Sequence, residues 1–206
     1  MLTSPRLCRR ESRRPLGFTL VELVVTVALL ALLMGLAAPA FTLWTRNAQV
    51  RTVSDALQNG ARLAQAEAVR RNRQMVFFLT NSAACDSTIT PAVNGSFWSI
   101  RTVALLSGEA VETVQCGNLS DRAAGVAIAG PTLICFNSMG RQTANADPGF
   151  GASLPCTLDA SGVSRYNFSA LGSDRPQRVL VSLGGQVRMC DPARTLSTSD
   201  PDGCPP

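Results

Sequence analysis

Residues 17–46 read GFTLVELVVTVALLALLMGLAAPAFTLWTR, and the 23 residues between Glu22 and Arg46 carry no charge. At about 1.5 Å of rise per residue, a helix of that length covers a hydrocarbon layer roughly 30 Å thick. Arg6, Arg9, Arg10, Arg13 and Arg14 precede the run, whereas only Arg46 and Arg51 follow it closely. That asymmetry keeps the leading segment cytoplasmic and sends the rest of the chain outward.

Three other readings of the run compete. A secretory signal peptide cut after Ala38-Pro39-Ala40 is one, but the run exceeds the roughly 7 to 15 residues of a signal core. Glu22 inside it would also cost roughly 3 kcal/mol if charged, for no gain to a signal peptide. A twin-arginine signal at Ser12-Arg13-Arg14 is the second; export of a folded cofactor protein fits poorly with a chain this short of ligands. A plain signal anchor is the third, and it leaves the leader and Glu22 unexplained.

Charge and cysteine content follow the same division. The formal net charge is +5, and the first seventeen residues, with five Arg against Glu11, hold most of it. There is no Lys and no His, which removes the usual general base, the usual metal ligand and the lysine of a phosphate-binding loop. Asp and Glu are scattered without pattern, so neither an enzyme, a cofactor nor a metal site is expected. Seven cysteines occur, none in a C-x-x-C pair; removing residues 1–17 discards Cys8 and leaves an even six on the side of the membrane where disulfides persist.

Gly17-Phe18-Thr19-Leu20-Val21-Glu22-Leu23 closely resembles the prepilin peptidase site of type IV pilins and type II secretion pseudopilins. The resemblance implies that Gly17 ends the leader, that Phe18 becomes the methylated N-terminus, and that Pro39 is a helix kink site. It also implies that Glu22 meets the Phe18 amine of a neighbouring subunit. Glu22 lies one turn from Phe18 on the same face, where a free amine compensates the carboxylate. The apolar helix is then kept in the product.

Past the anchor, Val50, Val53, Leu57, Ala61, Ala64 and Ala68 recur at intervals of three and four, with Arg51, Asp55, Gln58, Arg62 and Arg70 off the stripe. One amphipathic helix is expected to about Asn72, giving a helix of about 80 Å from Phe18. Beyond it the period becomes two. Strands are expected at 74–79, 97–103, 111–115, 125–129, 132–136, 165–168, 178–183 and 186–189, as two small antiparallel sheets. Residues 137–161, rich in Gly, Pro, Ala and polar side chains, read as a long surface loop with low strand content.

The helix run from Ala61 to Asn72 and the Gly-centred stretches Phe136–Arg141 and Val181–Arg188 resemble the GspH/FimT family of minor pilins and pseudopilins. The expected fold class is α+β: a long N-terminal transmembrane and amphipathic helix packed on a C-terminal antiparallel β-sandwich-like domain. The expected organisation is a cleaved basic leader over 1–17, a helix over 18–72 with 18–45 spanning the membrane, and a periplasmic β-rich domain over 73–206. Sequence alone does not choose among the cysteine pairings. Chain order favours Cys85 with Cys116, Cys135 with Cys156, and Cys190 with Cys204, the last closing a Pro-rich tail with no expected secondary structure.

The resemblance implies a non-catalytic subunit in the inner membrane, single-pass with its C-terminal domain periplasmic, that helps assemble or initiate a type IV pilus or type II secretion pseudopilus. Its implied partners are prepilin peptidase, other pilin or pseudopilin subunits and inner-membrane lipid, and the cysteine-bearing tail favours the pilus. DNA capture during natural transformation is the alternative. Some family members carry Gly-Arg-x-Arg near the C-terminus, where this chain has Gly185-Gln186-Val187-Arg188 and lacks one arginine. Arg141 and Arg188 are the candidate DNA contacts, joined by Arg165, Arg175, Arg178 and Arg194 only if folding gathers them.

Overall fold

The computed structural model describes residues 17–106, 108–119 and 125–205. Residues 1–16, with Cys8 and the leader arginines, lie outside the described residues. The chain divides into two compact units, one up to Ala40 and one from Phe41 to Pro206. Helix α1, Leu20–Arg71, contributes to both and contains Pro39. In the first unit it is apolar and exposed, and it is long and apolar enough to cross a membrane.

In the second unit α1 presents the expected stripe. Val50, Val53, Leu57, Ala61, Ala64 and Ala68 are all buried. The helix stops at Asn72, which takes a left-handed conformation (φ 50°), while the Arg73 amide donates to the Ala68 carbonyl at 3.1 Å and the Asn72 amide to Val69 at 3.2 Å. This pair of bonds satisfies carbonyls that the helix end would orphan. Arg70 and Arg71 in the last turn suit the negative end of the helix dipole and grip Glu67 at 2.6 and 2.9 Å. Their hydrogen bonds, Arg70 first and then Arg71, hold the Glu67 carboxyl down at about 2.

Among the described residues ten strands follow, in two five-stranded sheets. The first is ordered β3-β2-β1-β5-β6, from β1 (Met75–Thr80), β2 (Phe97–Thr102), β3 (Thr113–Asn118), β5 (Leu133–Phe136) and β6 (Gln142–Thr143). The second is ordered β10-β9-β8-β7-β4, from β4 (Val126–Ala129), β7 (Ser164–Ala170), β8 (Gln177–Val181), β9 (Val187–Thr195) and β10 (Gly203–Cys204). One core joins the α1 stripe to Phe77, Leu79, Ile100, Ile134 and Phe136 of the first sheet and to Tyr166, Phe168, Val179, Val181 and Val187 of the second.

Two expectations need correction. Residues 137–161 are low in strand, as expected, with β6 and an isolated bridge between Asn145 and Cys156, but they are more than a surface loop, since Phe150, Leu154 and Cys156 pack on the outer face of the first sheet. Strand β1 is buried along its whole length because both faces are covered, with Met75, Phe77 and Leu79 turned to the helix and Val76 and Phe78 turned outward. Phe150 and Leu154 pack on that outer face, Phe150 edge-on to Phe78 at 4.9 Å between centroids. Arg101, also buried there, places its guanidinium 3.8 Å from the Phe150 centroid and donates to the carbonyls of Gly149 (2.9 Å) and Ser87 (3.2 Å). Burial pushes its pKa down.

The second correction concerns the tail and the second sheet. Strand β9 runs on through Asp191-Pro192 to Thr195, and β10 pairs with it in parallel, so this sheet is mixed rather than antiparallel. Pairing of β9 with β8 ends at Cys190, so the missing N–H of Pro192 interrupts no bond to β8. A two-residue strand leaves no periodic trace in the sequence, and for that reason the tail read as unstructured.

Helix and first sheet meet most closely at Gly60, where an added Cβ would lie 2.9 Å from the Trp98 ring and 3.0 Å from the Phe77 ring. Gly60→Ala gains up to about 1 kcal/mol in helix propensity but forces two packed aromatic rings apart, a change that typically costs about 1–3 kcal/mol. Denaturant unfolding of the variant is expected to show a net loss of about 1 kcal/mol. A variant more stable than the parent would contradict this packing.

Candidate processing and assembly site

Gly17, Phe18 and Thr19 precede α1 without regular secondary structure. The Thr19 hydroxyl accepts the Glu22 amide at 3.2 Å, and the Thr19 carbonyl accepts the Leu23 amide at 3.1 Å. Thr19 is therefore the N-cap and Glu22 the third helical residue, so the T-x-x-E spacing is a helix-start signature besides anything else it does. A carboxylate in the first turn also suits the positive end of the helix dipole. Neither role requires the apolar surface that follows. Space around Gly17 is open, Phe18 is exposed, and the side chains from Leu20 to Phe41 are exposed together.

An apolar surface of that extent does not rest in water, since single soluble domains rarely expose more than a few hundred Å² of contiguous apolar area. The geometry thus combines an accessible Gly17–Phe18 bond, a carboxylate one turn beyond it and an uncovered apolar helix. The sequence motif carries the same information. Residues 12–38 match the prokaryotic N-terminal methylation motif. The chain is pilin-like at its N-terminus. No curated protein matches the chain in sequence.

Solved structures that align with this chain include the type IV minor pilin FimU of Pseudomonas aeruginosa, at 15% identity and a TM-score of 0.47, over 72% of this chain and 96% of that one. The minor pseudopilin EpsH of the Vibrio cholerae type 2 secretion system aligns at 11% identity and a TM-score of 0.46, over 71% and 99%. Escherichia coli GspH aligns at 11% identity and a TM-score of 0.42, over 70% and 89%.

The remaining candidate residues lie in the second unit. The structure joins Cys85 to Cys116, Cys135 to Cys156 and Cys190 to Cys204. The first two tie the chain on either side of the outer cluster to β3 and β5, and the third closes the tail onto β9. Among the described residues no group of three or more Cys, Asp or Glu is placed to hold a metal ion.

Of the arginines, Arg141 is exposed in the β5–β6 turn, and Arg194 sits among Asp191, Asp200 and Asp202. Strand register brings three others to one face. Arg165, Leu180 and Arg188 are directly opposed across β7, β8 and β9, with Asn167, Arg178 and Cys190 in the adjacent row. Arg165 pairs with Asp159 at 2.5 Å, Arg178 donates to the side-chain Oδ1 of Asn167 at 2.6 Å, and Arg188 to the Pro201 backbone carbonyl at 3.0 Å. Hydrogen bonds from the Ser161 hydroxyl, the Val163 amide and Arg165 hold the Asp159 carboxyl down at about 2. Sequence alone gives no register, and so it could not show that these three share a face.

Proposed function

We propose that this chain is a non-catalytic minor pilin or pseudopilin subunit, cut between Gly17 and Phe18 by prepilin peptidase and methylated on Phe18. The observation that carries the reading is the coincidence of the methylation motif with an apolar helix left wholly uncovered by its own domain. Lipid covers that helix before assembly, with the second unit on the periplasmic side, and the helices of other subunits cover it afterwards. Glu22 then sets the axial register: buried in apolar surroundings it needs a cationic partner, and the Phe18 amine of the adjacent subunit supplies one. Pro39 is the position at which the helix bends during that transfer.

The test is a chromosomal Glu22→Ala substitution compared with a clean deletion. The expected result is a processed, stable protein that stays in the membrane and supports filament assembly or filament-dependent secretion no better than the deletion. Wild-type filament number and secretion in both strains would refute the role.

The shared face of Arg165, Arg178 and Arg188 favours one second reading, capture of DNA by the exposed domain. Arg178 and Arg188 donate to neutral oxygens, so their charge is not cancelled by those contacts, whereas Arg165 is offset by Asp159. Two phosphate contacts would give a weak interaction that is lost as salt rises, with a logarithmic slope of about 2. Gel-shift titration at low salt should show binding by the purified chain that is abolished in an Arg178→Gln/Arg188→Gln double variant. Equal binding by both proteins, or none by either, would remove this reading.

A further inference from the structure

We infer that the β7–β8 hairpin tip is a second membrane contact, with Leu171 in the interfacial layer of the bilayer and Arg175 on anionic lipid headgroups. This rests on the reading of the segment ending near Trp44 as the membrane anchor. The Ser173 amide donates to the Ala170 carbonyl at 3.1 Å and Gly172 takes a φ of 79°, so the chain reverses tightly with Leu171 at the corner. Leu171 is 95% exposed. Turn chemistry favours Gly, Pro, Asn, Asp and Ser at such corners and gives no reason for a large apolar side chain.

The tip is fixed to α1 by one residue. Asn47 donates through Nδ2 to the Asp174 carboxylate at 2.7 Å, and its Oδ1 accepts from the Ser173 hydroxyl at 2.7 Å and from the amides of Asp174 (3.2 Å) and Arg175 (3.3 Å). Asn47 follows Trp44 by three residues, about 4.5 Å of helix rise. Phe41 and Trp44 are both exposed, with ring centroids 6.0 Å apart, and Arg46 ends the uncharged run. An aromatic pair followed by arginine is what a helix presents at a membrane–water boundary. Asn47 therefore holds the hairpin tip at the level of that boundary.

Charge points to the same occupant. Arg175 is the cation carried on the tip itself, and it is exposed. Juxtamembrane arginines are drawn to anionic lipid. The tip is convex and carries one large apolar side chain, a form that enters a headgroup layer but lacks the area of a stable protein interface. With this contact the second unit would meet the bilayer at two points, the helix and the hairpin.

The full chain, reconstituted in vesicles of phosphatidylcholine and phosphatidylglycerol brominated on the acyl chains, tests this through tryptophan quenching. Leu171→Trp and Leu106→Trp are compared with the parent, whose two tryptophans are the exposed Trp44 and the buried Trp98, so that the signal of each added tryptophan is read over that of the parent. Leu106 is exposed in a loop whose Glu109 pairs with Arg73, about 36 Å along the helix from Asn47. Quenching of Trp44 and of the tryptophan added at 171, but not of the one added at 106, is expected. Quenching of Trp44 alone would overturn the contact and leave the anchor standing, as would quenching at 171 equal to that at 106. Loss of the 171 signal on diluting protein in lipid would assign the tip to a second copy of the chain instead. If Trp44 itself is not quenched, anchor and contact fall together.

Discussion

Burial of one stripe of α1, from Val50 to Ala68, against the inner faces of both sheets is the contact on which the rest of the structure depends. Its members shrink along the helix, from Val50, Val53 and Leu57 to Ala61, Ala64 and Ala68, with Gly60 where Trp98 and Phe77 press closest. Small side chains let the helix axis approach the sheet, and the aromatic rings of the strands supply the volume the helix lacks. The two Gly-centred turns complete the fit. Gly140 and Gly185 both have positive φ, and a Cβ on Gly185 would fall 1.9 Å from the Gly140 carbonyl oxygen. Gln65 on the helix donates to that same carbonyl at 2.9 Å.

The helix uses the inner faces of the sheets, so the outer faces need their own cover. On the first sheet that cover is made of loop segments with little regular structure, held by Arg101, Phe150 and two disulfides. A disulfide restrains the unfolded chain, which compensates for segments that contribute few ladder bonds. On the second sheet, among the described residues, the outer face is covered over Leu180, Cys190 and Cys204, with Val163 packed beside them, and arginines occupy neighbouring positions. One sheet is thus walled in while the other is left accessible.

The sequence disclosed the parts of this plan that rest on periodicity. Spacing of three and four marked the buried stripe residue by residue, and alternation suits β7, buried at every second residue over most of its length, because both patterns record which side of an element faces the core, whereas β1 is covered on both faces. It was silent where a structure depends on pairing between distant segments. Strands β6 and β10 are two residues each, too short to alternate, and the cover over Phe78 draws on a Gly- and Pro-rich stretch whose few apolar residues follow no period. The site divided in the same way. The Gly17–Glu22 motif is local and was legible at once, whereas the common face of Arg165, Arg178 and Arg188 and the grip of Asn47 on a turn more than a hundred residues away exist only in the folded register.

A single helix therefore serves two environments, buried by its own domain after Val50 and uncovered before Phe41. The central claim is that this uncovered half is kept in the mature protein because processing occurs ahead of it. Mass spectrometry of the N-terminus of the protein isolated from membranes tests that claim most directly. The account predicts a chain that begins at Phe18 and carries an added methyl group; a chain that begins at Phe41 would contradict it.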